Sequence, residues 1–222
     1  MNAFSKRKTK VLAKMSTKIE VEHRGLLSEK RFNELNSFFR KNGKFLGEKD
    51  RFSIIYFQKR CSNISELKDS KIDLRLRIAN KRSELCLKHG TWGGRDSRRE
   101  ISIPIDSKKF DESVEFLRIL GFVHGVLNAT KTFSYKYNGI EFALVKVPKW
   151  GNYFEAEILT SKRKMKKADE KLDAELKKLG LKIVNEKQYH KLLNDLNDRK
   201  GFKFDFEKES FSRVKKKFRE YF

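Results

Sequence analysis

Short runs in which apolar and charged residues alternate recur along this chain. The first, KIEVEHR at residues 18–24, ends at Gly25. Alternation with a period of two predicts a β-strand with one apolar face, and glycine is typical of the turn that follows. Seven further runs of this kind are separated by Gly, Asn, Ser or Pro, at residues 51–57, 71–79, 83–90, 98–105, 131–139, 140–147 and 153–159. The pattern therefore predicts eight strands.

Four other segments carry apolar residues at helical spacing. Residues 28–43 begin with Ser, end before a strand with Gly, and have an apolar face made of Phe32, Leu35, Phe38 and Phe39. The other helical segments are residues 108–122, 166–180 and 186–197. Strands with helices between and after them predict an α+β fold, and strands that follow one another directly favour antiparallel pairing. The dipeptide Asn138-Gly139 predicts a tight hairpin turn.

The charge of the chain indicates an anionic partner. Its 222 residues include 53 Lys and Arg against 30 Asp and Glu, a formal net charge of +23. Hydrophobic residues make up 38% and aromatic residues 12%, which excludes a disordered basic tail and predicts one folded domain. Phosphate is the anion that such a balance favours, although a lysine-rich surface also accounts for part of the excess.

The cysteines and the hydropathy pattern bear on the compartment. Cys61 and Cys86 have no CxxC spacing and are too few for a disulfide scaffold, which favours a reducing, cytoplasmic setting. No apolar run reaches the length of a membrane span, so we expect no membrane association.

The ends of the chain differ from its centre. Residues 1–17 form a basic arm without acidic residues, residues 18–197 carry the patterned domain, and residues 198–222 mix aromatic with basic residues as either a docking helix or a tail. Both basic ends would suit RNA as a partner. The sequence leaves open whether the protein acts as a monomer or as a homodimer.

Charged residues on the predicted strands share faces. Residues two apart lie on one side of a strand, so Glu20, Glu22 and Arg24 lie together, opposite Ile19, Val21 and His23. Four other strands repeat this arrangement, with charged faces formed by Asp73, Arg75 and Arg77, by Glu84, Cys86 and Lys88, by Arg98, Glu100 and Ser102, and by Glu155 and Glu157. A sheet with one solvated face is the ordinary alternative.

The two signs of charge are segregated among these strands. Acidic pairs occupy the first and last strands, whereas Arg75, Arg77 and Lys88 lie on middle ones. If the sheet closes, glutamates that repel one another face a basic wall. A hard divalent cation would neutralise the glutamates, and phosphate oxygens would match the arginines. Metal and polyphosphate together satisfy both sets.

Several of these segments resemble one known family. IEVEHR is similar to the Glu-x-Glu-x-Lys opening of the CYTH domain, also called the triphosphate tunnel metalloenzyme family. LRLRIANKRSELCLKHG resembles its paired-arginine and lysine strands, GNYFEAEIL its closing Glu-x-Glu strand, and EKQYHKLL the helix that follows. The resemblance covers residues 19–196 in the family's order. It implies a closed, eight-stranded antiparallel β-tunnel with helices packed outside, and an enzyme that attacks triphosphates.

The resemblance also implies roles for single residues. It places Mg²⁺ or Mn²⁺ on Glu20, Glu22, Glu155 and Glu157. The residues expected to take part in catalysis are Glu20, Glu22, Arg24 and Glu100. Those expected to bind the phosphates of a small triphosphate are Arg24, Arg75, Arg77, Lys88, Arg98 and either Lys131 or Lys136.

Three positions depart from the family pattern. Arg24 replaces a lysine, Val145 lies where many members carry Asp, and the sixth strand offers Lys131 or Lys136 where many carry Arg. These departures concern the site and leave the strand pattern unchanged. The leading hypothesis is a metal-dependent triphosphatase acting on inorganic triphosphate or on a nucleoside or other organic triphosphate. The alternatives are a class IV adenylate cyclase, an RNA 5′-triphosphatase, and a tunnel that binds polyphosphate or RNA without turnover.

Overall fold

The computed structural model describes residues 19–57, 72–91, 95–199 and 201–222, so the amino-terminal arm and Cys61 lie outside the described residues. All eight predicted strands are present, and a short ninth follows. They are β1 (Ile19–Leu27), β2 (Lys44–Tyr56), β3 (Ile72–Ala79), β4 (Arg82–Thr91), β5 (Arg95–Ile105), β6 (His124–Tyr137), β7 (Ile140–Val147), β8 (Gly151–Thr160) and β9 (Lys203–Asp205).

The four predicted helices are also confirmed. The structure contains α1 (Glu29–Asn42), α2 (Phe110–Ile119), α3 (Met165–Lys178), α4 (Glu186–Asn197) and a fifth, short helix α5 (Phe211–Lys217). Ser28 caps α1 by accepting a hydrogen bond from the Arg31 amide at 3.2 Å, as its sequence position predicts. Among the described residues, no helix is both long and apolar enough to cross a membrane.

The first eight strands close into an antiparallel ring. Hydrogen-bonded neighbours follow the order β2-β3-β4-β5-β1-β8-β7-β6, and β6 pairs with β2 to complete the circuit. β1 and β8, the two glutamate strands, are direct neighbours, with Glu22 opposite Glu157 and Arg24 opposite Glu155. The helices lie outside the ring, so the predicted tunnel with an α+β architecture is confirmed.

Two strands are longer than their sequence pattern predicts. β2 begins at Lys44 and β6 at His124, each seven residues before the predicted start. The added segments, KFLGEKD and HGVLNAT, do not alternate cleanly. They are strands because β2 and β6 pair along almost their whole length, from Lys44 opposite Lys136 to Tyr56 opposite Gly125. Long-range pairing therefore overrides the local pattern.

Two apolar clusters hold the helices against the outer face of the ring. In the first, α1 and α3 pack on β1, β6, β7 and β8 around Phe39, Phe142 and Leu172. In the second, α2 packs on β2, β3 and β6 around Phe52 and Phe110. The apolar face of each strand is thus directed outward to the helices, which leaves the charged face to line the interior.

The carboxyl-terminal segment belongs to the second cluster. β9 pairs with β6, with Phe204 opposite Gly125. Phe206, Val214 and Phe218 are buried against the outside of the ring. Of the two alternatives that the sequence leaves open for residues 198–222, this packing is that of a docked segment ending in a helix.

Two glycines allow other backbone segments to approach the ring. A Cβ at Gly25 on β1 would lie 2.0 Å from the Lys182 carbonyl oxygen and 2.6 Å from the Phe154 ring. A Cβ at Gly125 on β6 would lie 2.3 Å from the Ile55 carbonyl oxygen and 2.8 Å from the Phe204 ring. Both contacts are impossible for a real side chain, so these positions require glycine.

We predict that Gly25→Ala and Gly125→Ala each destabilise the fold. Overpacking of this kind costs about 1–3 kcal/mol or more, because backbone atoms have to move. Arg99→Ala, at an exposed position of β5, is the matched control and should stay within about 0.5 kcal/mol of the parent. Urea unfolding measures all three. Parent-like stability of both glycine variants would contradict the close approach.

Candidate active site in the tunnel

The interior of the ring is a charged cavity of about 520 Å³. The inward positions of all eight strands line it, together with α4 and the segment before it. The lining contains the sequence-predicted residues Glu20, Arg24, Arg75, Arg77, Lys88, Arg98, Glu100, Glu155 and Glu157. Glu22 lies behind them on the same face and is only 2% exposed. The alternation of inward and outward residues along the strands thus predicted these lining residues correctly.

Three glutamates form a carboxylate cluster at the β1–β8 pair. Oxygens of Glu20, Glu22 and Glu157 all lie within 4.8 Å of one another. Glu155, also expected as a metal ligand, lies outside this cluster, with its Oε1 3.7 Å from Nη2 of Arg24. The structure therefore brings together three of the four predicted carboxylates.

The pKa values within the carboxylate cluster diverge. Burial, together with the nearby charge of Glu20, raises the pKa of Glu157 to about 8. Burial opposes ionisation of Glu20 as well, but the Lys88 ammonium outweighs it and lowers the pKa of Glu20. Lys88 Nζ lies 2.9 and 3.0 Å from the two Glu20 oxygens. The cations around the cluster lie on its other two members, Lys88 on Glu20, and Arg24 and Arg98 on Glu22.

The basic wall lies on β3, β4 and β5. Arg75 is paired with Asp73, and this pairing brings the pKa of the buried Asp73 carboxyl to about 2. Arg77 donates hydrogen bonds to the carboxylates of Glu84 and Glu100, both at 2.7 Å. Each guanidinium thus has a carboxylate partner within the wall.

Glu100 and Arg98 link this wall to the carboxylate cluster. Glu100 Oε2 lies 3.0 Å from Lys88 Nζ, and Lys88 with Arg77 holds the pKa of Glu100 well below its usual range despite burial. Glu100 is thereby engaged by two cations and lies outside the carboxylate cluster. Arg98, 2% exposed, approaches Glu22 at 3.5 Å and Asp96 at 3.0 Å.

Arg24 is held from several sides. It forms ion pairs with Glu22 and, at 2.9 Å, with Asp96, and it donates a hydrogen bond to the Tyr189 hydroxyl of α4. These partners raise its pKa although burial opposes this. The planar fork of Arg24 has room for these contacts, whereas the lysine of the family pattern has a single ammonium. Asp96 falls outside the predicted strand 98–105, which is why sequence reasoning missed it.

Arg51 on β2 is the clearest functional candidate that the sequence did not reveal. It lines the cavity but forms no ion pair with any described residue, and its Nε is buried without a hydrogen-bond partner. Burial and the nearby Arg77 lower its pKa. Arg51 begins the predicted strand 51–57 and shares one face of it with Ser53 and Ile55, which could have indicated that it lies inside the ring. An unpaired buried guanidinium needs an anion.

Neither lysine proposed for the sixth strand lines the cavity. Lys131 lies on the outer face, where it pairs with Glu48 and approaches the Phe133 ring, so its expected role in phosphate binding is wrong. Lys136 shares the inward parity but is exposed at the far end of β6, beyond Ser134, the last β6 residue of the lining. The β6 lining is neutral: Asn128, Thr130, Thr132 and Ser134.

Helix α4 closes one end of the ring. The amide of Val184, just before the helix, donates to the Arg24 carbonyl oxygen at 3.0 Å, and Leu193 packs against Ile55, Phe57 and Val126 on the other side. Apolar or aromatic residues gather at this end of the lining: Leu26, Ile55, Trp150, Tyr153, Val184, Leu192, Leu193 and Leu196. The cavity thus has a charged body and an apolar end.

Comparisons with known proteins bear on the fold. No family model and no curated protein matches the chain. Among solved structures, a conserved hypothetical protein from Pyrococcus furiosus is 22% identical with a TM-score of 0.63, covering 78% of this chain and 99% of its own. The PH1819 protein of Pyrococcus horikoshii is 26% identical, with a TM-score of 0.63 and coverage of 80% and 99%.

A third neighbour connects the fold to an activity of its own. HpAC1 of Hippeastrum, described as a candidate adenylyl cyclase with a dominant triphosphatase activity, is 17% identical with a TM-score of 0.51, covering 76% of this chain and 90% of its own. These similarities concern the fold. The chain has the triphosphate-tunnel fold.

One departure from the tunnel family's pattern is visible in the lining. Val145 faces the cavity, so no carboxylate is present at the position where many members carry Asp. Glu141, two inward positions away on the same strand, also lines the cavity and lies opposite Glu157. Its charge contributes to the raised pKa of Glu157.

The carboxylate cluster of this tunnel fits a hard divalent cation. Three carboxylates offer oxygen ligands within reach of one ion, and Mg²⁺ and Mn²⁺ prefer such ligands. Burial and the charge of Glu20 raise the pKa of Glu157, and a bound cation would favour its ionised form. Glu20, Glu22 and Glu157 are therefore the residues that would hold the ion.

We predict a pH-dependent stability that Glu157 controls. Because its folded-state pKa of about 8 lies above its ordinary value, the folded state holds an extra proton between these limits, and stability falls as pH rises through that window. One proton gives a slope of at most about 1.4 kcal/mol per pH unit. Glu157→Gln should remove this component in chelator-treated protein, and Glu170→Gln, exposed on α3, should not. Denaturant unfolding from pH 5 to 9 measures it, and identical profiles for all three proteins would contradict the assignment.

Proposed function

We propose that this protein is a divalent-metal-dependent phosphohydrolase that removes the terminal phosphate of a triphosphate inside the tunnel. The observation that carries the proposal is the contact between the two charged sets. Lys88 touches Glu20 on one side and Glu100 on the other, so the carboxylate cluster and the basic wall meet within one cavity. A metal-bound polyphosphate is the ligand class that complements both at once.

The residues of the wall have distinct tasks in this proposal. Arg75, Arg77 and Arg98 hold the inner phosphates, and Lys88 lies at the boundary where the terminal phosphate meets the carboxylate cluster. Arg51, unpaired and buried, accepts a phosphate without first losing a carboxylate partner. These fixed cations oppose the negative charge that develops on the phosphate oxygens as the reaction proceeds.

The chemistry is attack of water on the terminal phosphate. A bond forms between the water oxygen and the terminal phosphorus, the terminal phosphoanhydride bond breaks, and the water proton passes to solvent. The products are orthophosphate and either diphosphate, from inorganic triphosphate, or the organic diphosphate, from an organic triphosphate. A divalent cation held by Glu20, Glu22 and Glu157 supplies Lewis-acid polarisation of the phosphate and lowers the pKa of water. The raised pKa of Glu157 suits it to take up a proton near neutral pH when no cation is bound.

The apolar end of the cavity favours an organic over an inorganic triphosphate. Inorganic triphosphate would use the cations but leave Trp150, Tyr153, Leu192 and Leu196 without contact. A base or another flat group attached to the triphosphate would bury this surface. A class IV adenylate cyclase would use the same cavity but release cyclic AMP and diphosphate. Product analysis with inorganic triphosphate and ATP separates these activities.

We predict that Glu22→Gln and Glu157→Gln lower metal-dependent turnover about 100-fold or more, since loss of residues that merely support metal ligands already costs 10–100-fold. The fold should be retained, because Glu157→Gln removes one of several like charges and, in Glu22→Gln, Arg24 and Arg98 keep Asp96 as a partner. Glu170→Gln is the matched control. Orthophosphate release in Mg²⁺ or Mn²⁺ measures the effect. Unchanged rates in both variants would exclude the carboxylate cluster as the metal site.

We predict opposite stability effects for two arginines that both bind triphosphate. Arg51→Met should stabilise the ligand-free protein, because it removes an unpaired buried charge. Arg75→Met should destabilise it by about 1–3 kcal/mol, because the buried Asp73 then keeps only Arg98, at 3.3 Å, as a cationic partner among the described residues. Both should weaken binding of a non-hydrolysable triphosphate analogue in calorimetry. Wild-type affinity in the Arg51 variant would remove it from the site.

A further inference from the structure

Three cations converge just outside the α4 end of the tunnel. We call Lys149, Arg199 and Lys217 the rim cations. Lys149 lies in the turn between β7 and β8, Arg199 follows α4, and Lys217 ends α5. The residues beside two of them, Trp150 and Leu196, line the cavity. The rim cations are therefore adjacent to the tunnel although they are not part of its lining.

The packing forces these like charges together. Arg199 Cζ and Lys217 Nζ each lie 4.4 Å from the centre of the Phe202 ring. Arg199 Nη2 donates to the Pro148 carbonyl oxygen at 3.0 Å, which fixes the guanidinium beside Lys149. Lys217 donates to the Gly201 carbonyl oxygen. Backbone carbonyls and one aromatic ring thus hold Arg199 and Lys217 in place, and the charge of Lys149 acts on Lys217.

The rim cations lack acidic partners. None of them forms an ion pair with a described residue, and Nη1 of Arg199 is buried without a hydrogen-bond partner. Burial and the charges of Lys149 and Arg199 lower the pKa of Lys217, which Glu209 only partly offsets. A cluster of cations without acidic partners attracts an oxyanion.

One rim cation comes from the carboxyl-terminal segment. Lys217 belongs to this docked segment, whose packing against the ring brings its ammonium over the Phe202 ring.

We propose that the rim cations bind a phosphate group of a chain that continues beyond the triphosphate held in the tunnel. This inference rests on the proposed function, because it assumes that the tunnel holds a triphosphate. It implies that the substrate is longer than that triphosphate. Two sources offer this chemistry, a 5′-triphosphorylated RNA and inorganic polyphosphate. Trp150, between the rim and the cavity, gives an RNA base a ring to stack on, which polyphosphate would not use.

The test compares two double variants with equal loss of charge. Lys149→Ala with Lys217→Ala removes two rim cations at exposed positions and leaves Arg199 on Phe202. Lys166→Ala with Lys216→Ala, also exposed, is the control. Orthophosphate release in Mg²⁺ is measured with inorganic triphosphate, 5′-triphosphorylated RNA and long-chain polyphosphate. The rim variant should raise KM for RNA or for polyphosphate with little change in kcat, and should leave inorganic triphosphate unaffected.

A binding measurement without turnover tests this site independently of the proposed activity. RNA with a 5′-hydroxyl and long-chain polyphosphate are titrated across a salt series without divalent cations. Each phosphate contact on a single strand contributes about 0.7 to the slope of log K against log salt. Loss of two rim cations should therefore reduce the slope for RNA by about 1.4. A reduced slope or a raised KM with RNA or with polyphosphate supports the site, and the polymer that shows the change is the source of the phosphate. Slopes and KM values equal to those of the control for both polymers overturn it, even if triphosphate is hydrolysed. If the parent hydrolyses no triphosphate, the proposed function fails, while the binding titrations still decide whether the rim cations bind a phosphate chain.

Discussion

Mutual neutralisation of buried charges is the constraint on which this tunnel depends. A closed ring directs one face of every strand inward, and here that face carries carboxylates and guanidiniums that would be costly to bury alone. Arg75 with Asp73, Arg77 with Glu84 and Glu100, and Lys88 with Glu20 satisfy one another across neighbouring strands. Removing any one of these residues would leave its neighbours with fewer partners of opposite charge.

The neutralisation is incomplete at two places, and these define the chemistry. Burial and the neighbouring charge of Glu20 raise the pKa of Glu157 to about 8, and Arg51 forms no ion pair with a described carboxylate. A cation at the first place and an anion at the second would complete the balance. A metal-bound triphosphate brings both charges in one ligand, which is why we favour hydrolysis in this cavity over simple anion binding.

Much of this was accessible from the sequence, for a physical reason. Period-two alternation assigns each residue to a face, so Glu20, Arg75, Lys88 and Glu157 could be placed on the interior without knowing the strand order. Parity fails where alternation is weak: it left Lys131 and Lys136 undecided, and the structure puts Lys131 outside with Glu48. The early halves of β2 and β6, the inward Asp96 and the unpaired state of Arg51 depend on pairing between distant segments, which no local pattern encodes.

The central claim is that the carboxylate cluster and the basic wall form one site with coupled occupants. Calorimetric titration of a non-hydrolysable triphosphate analogue with and without Mn²⁺, and of Mn²⁺ with and without the analogue, tests this directly. Coupling free energies are reciprocal, so each ligand should raise the affinity of the other by the same factor, and Glu157→Gln should reduce that factor. Independent binding of the two ligands, with affinities unchanged by each other's presence, would contradict the account.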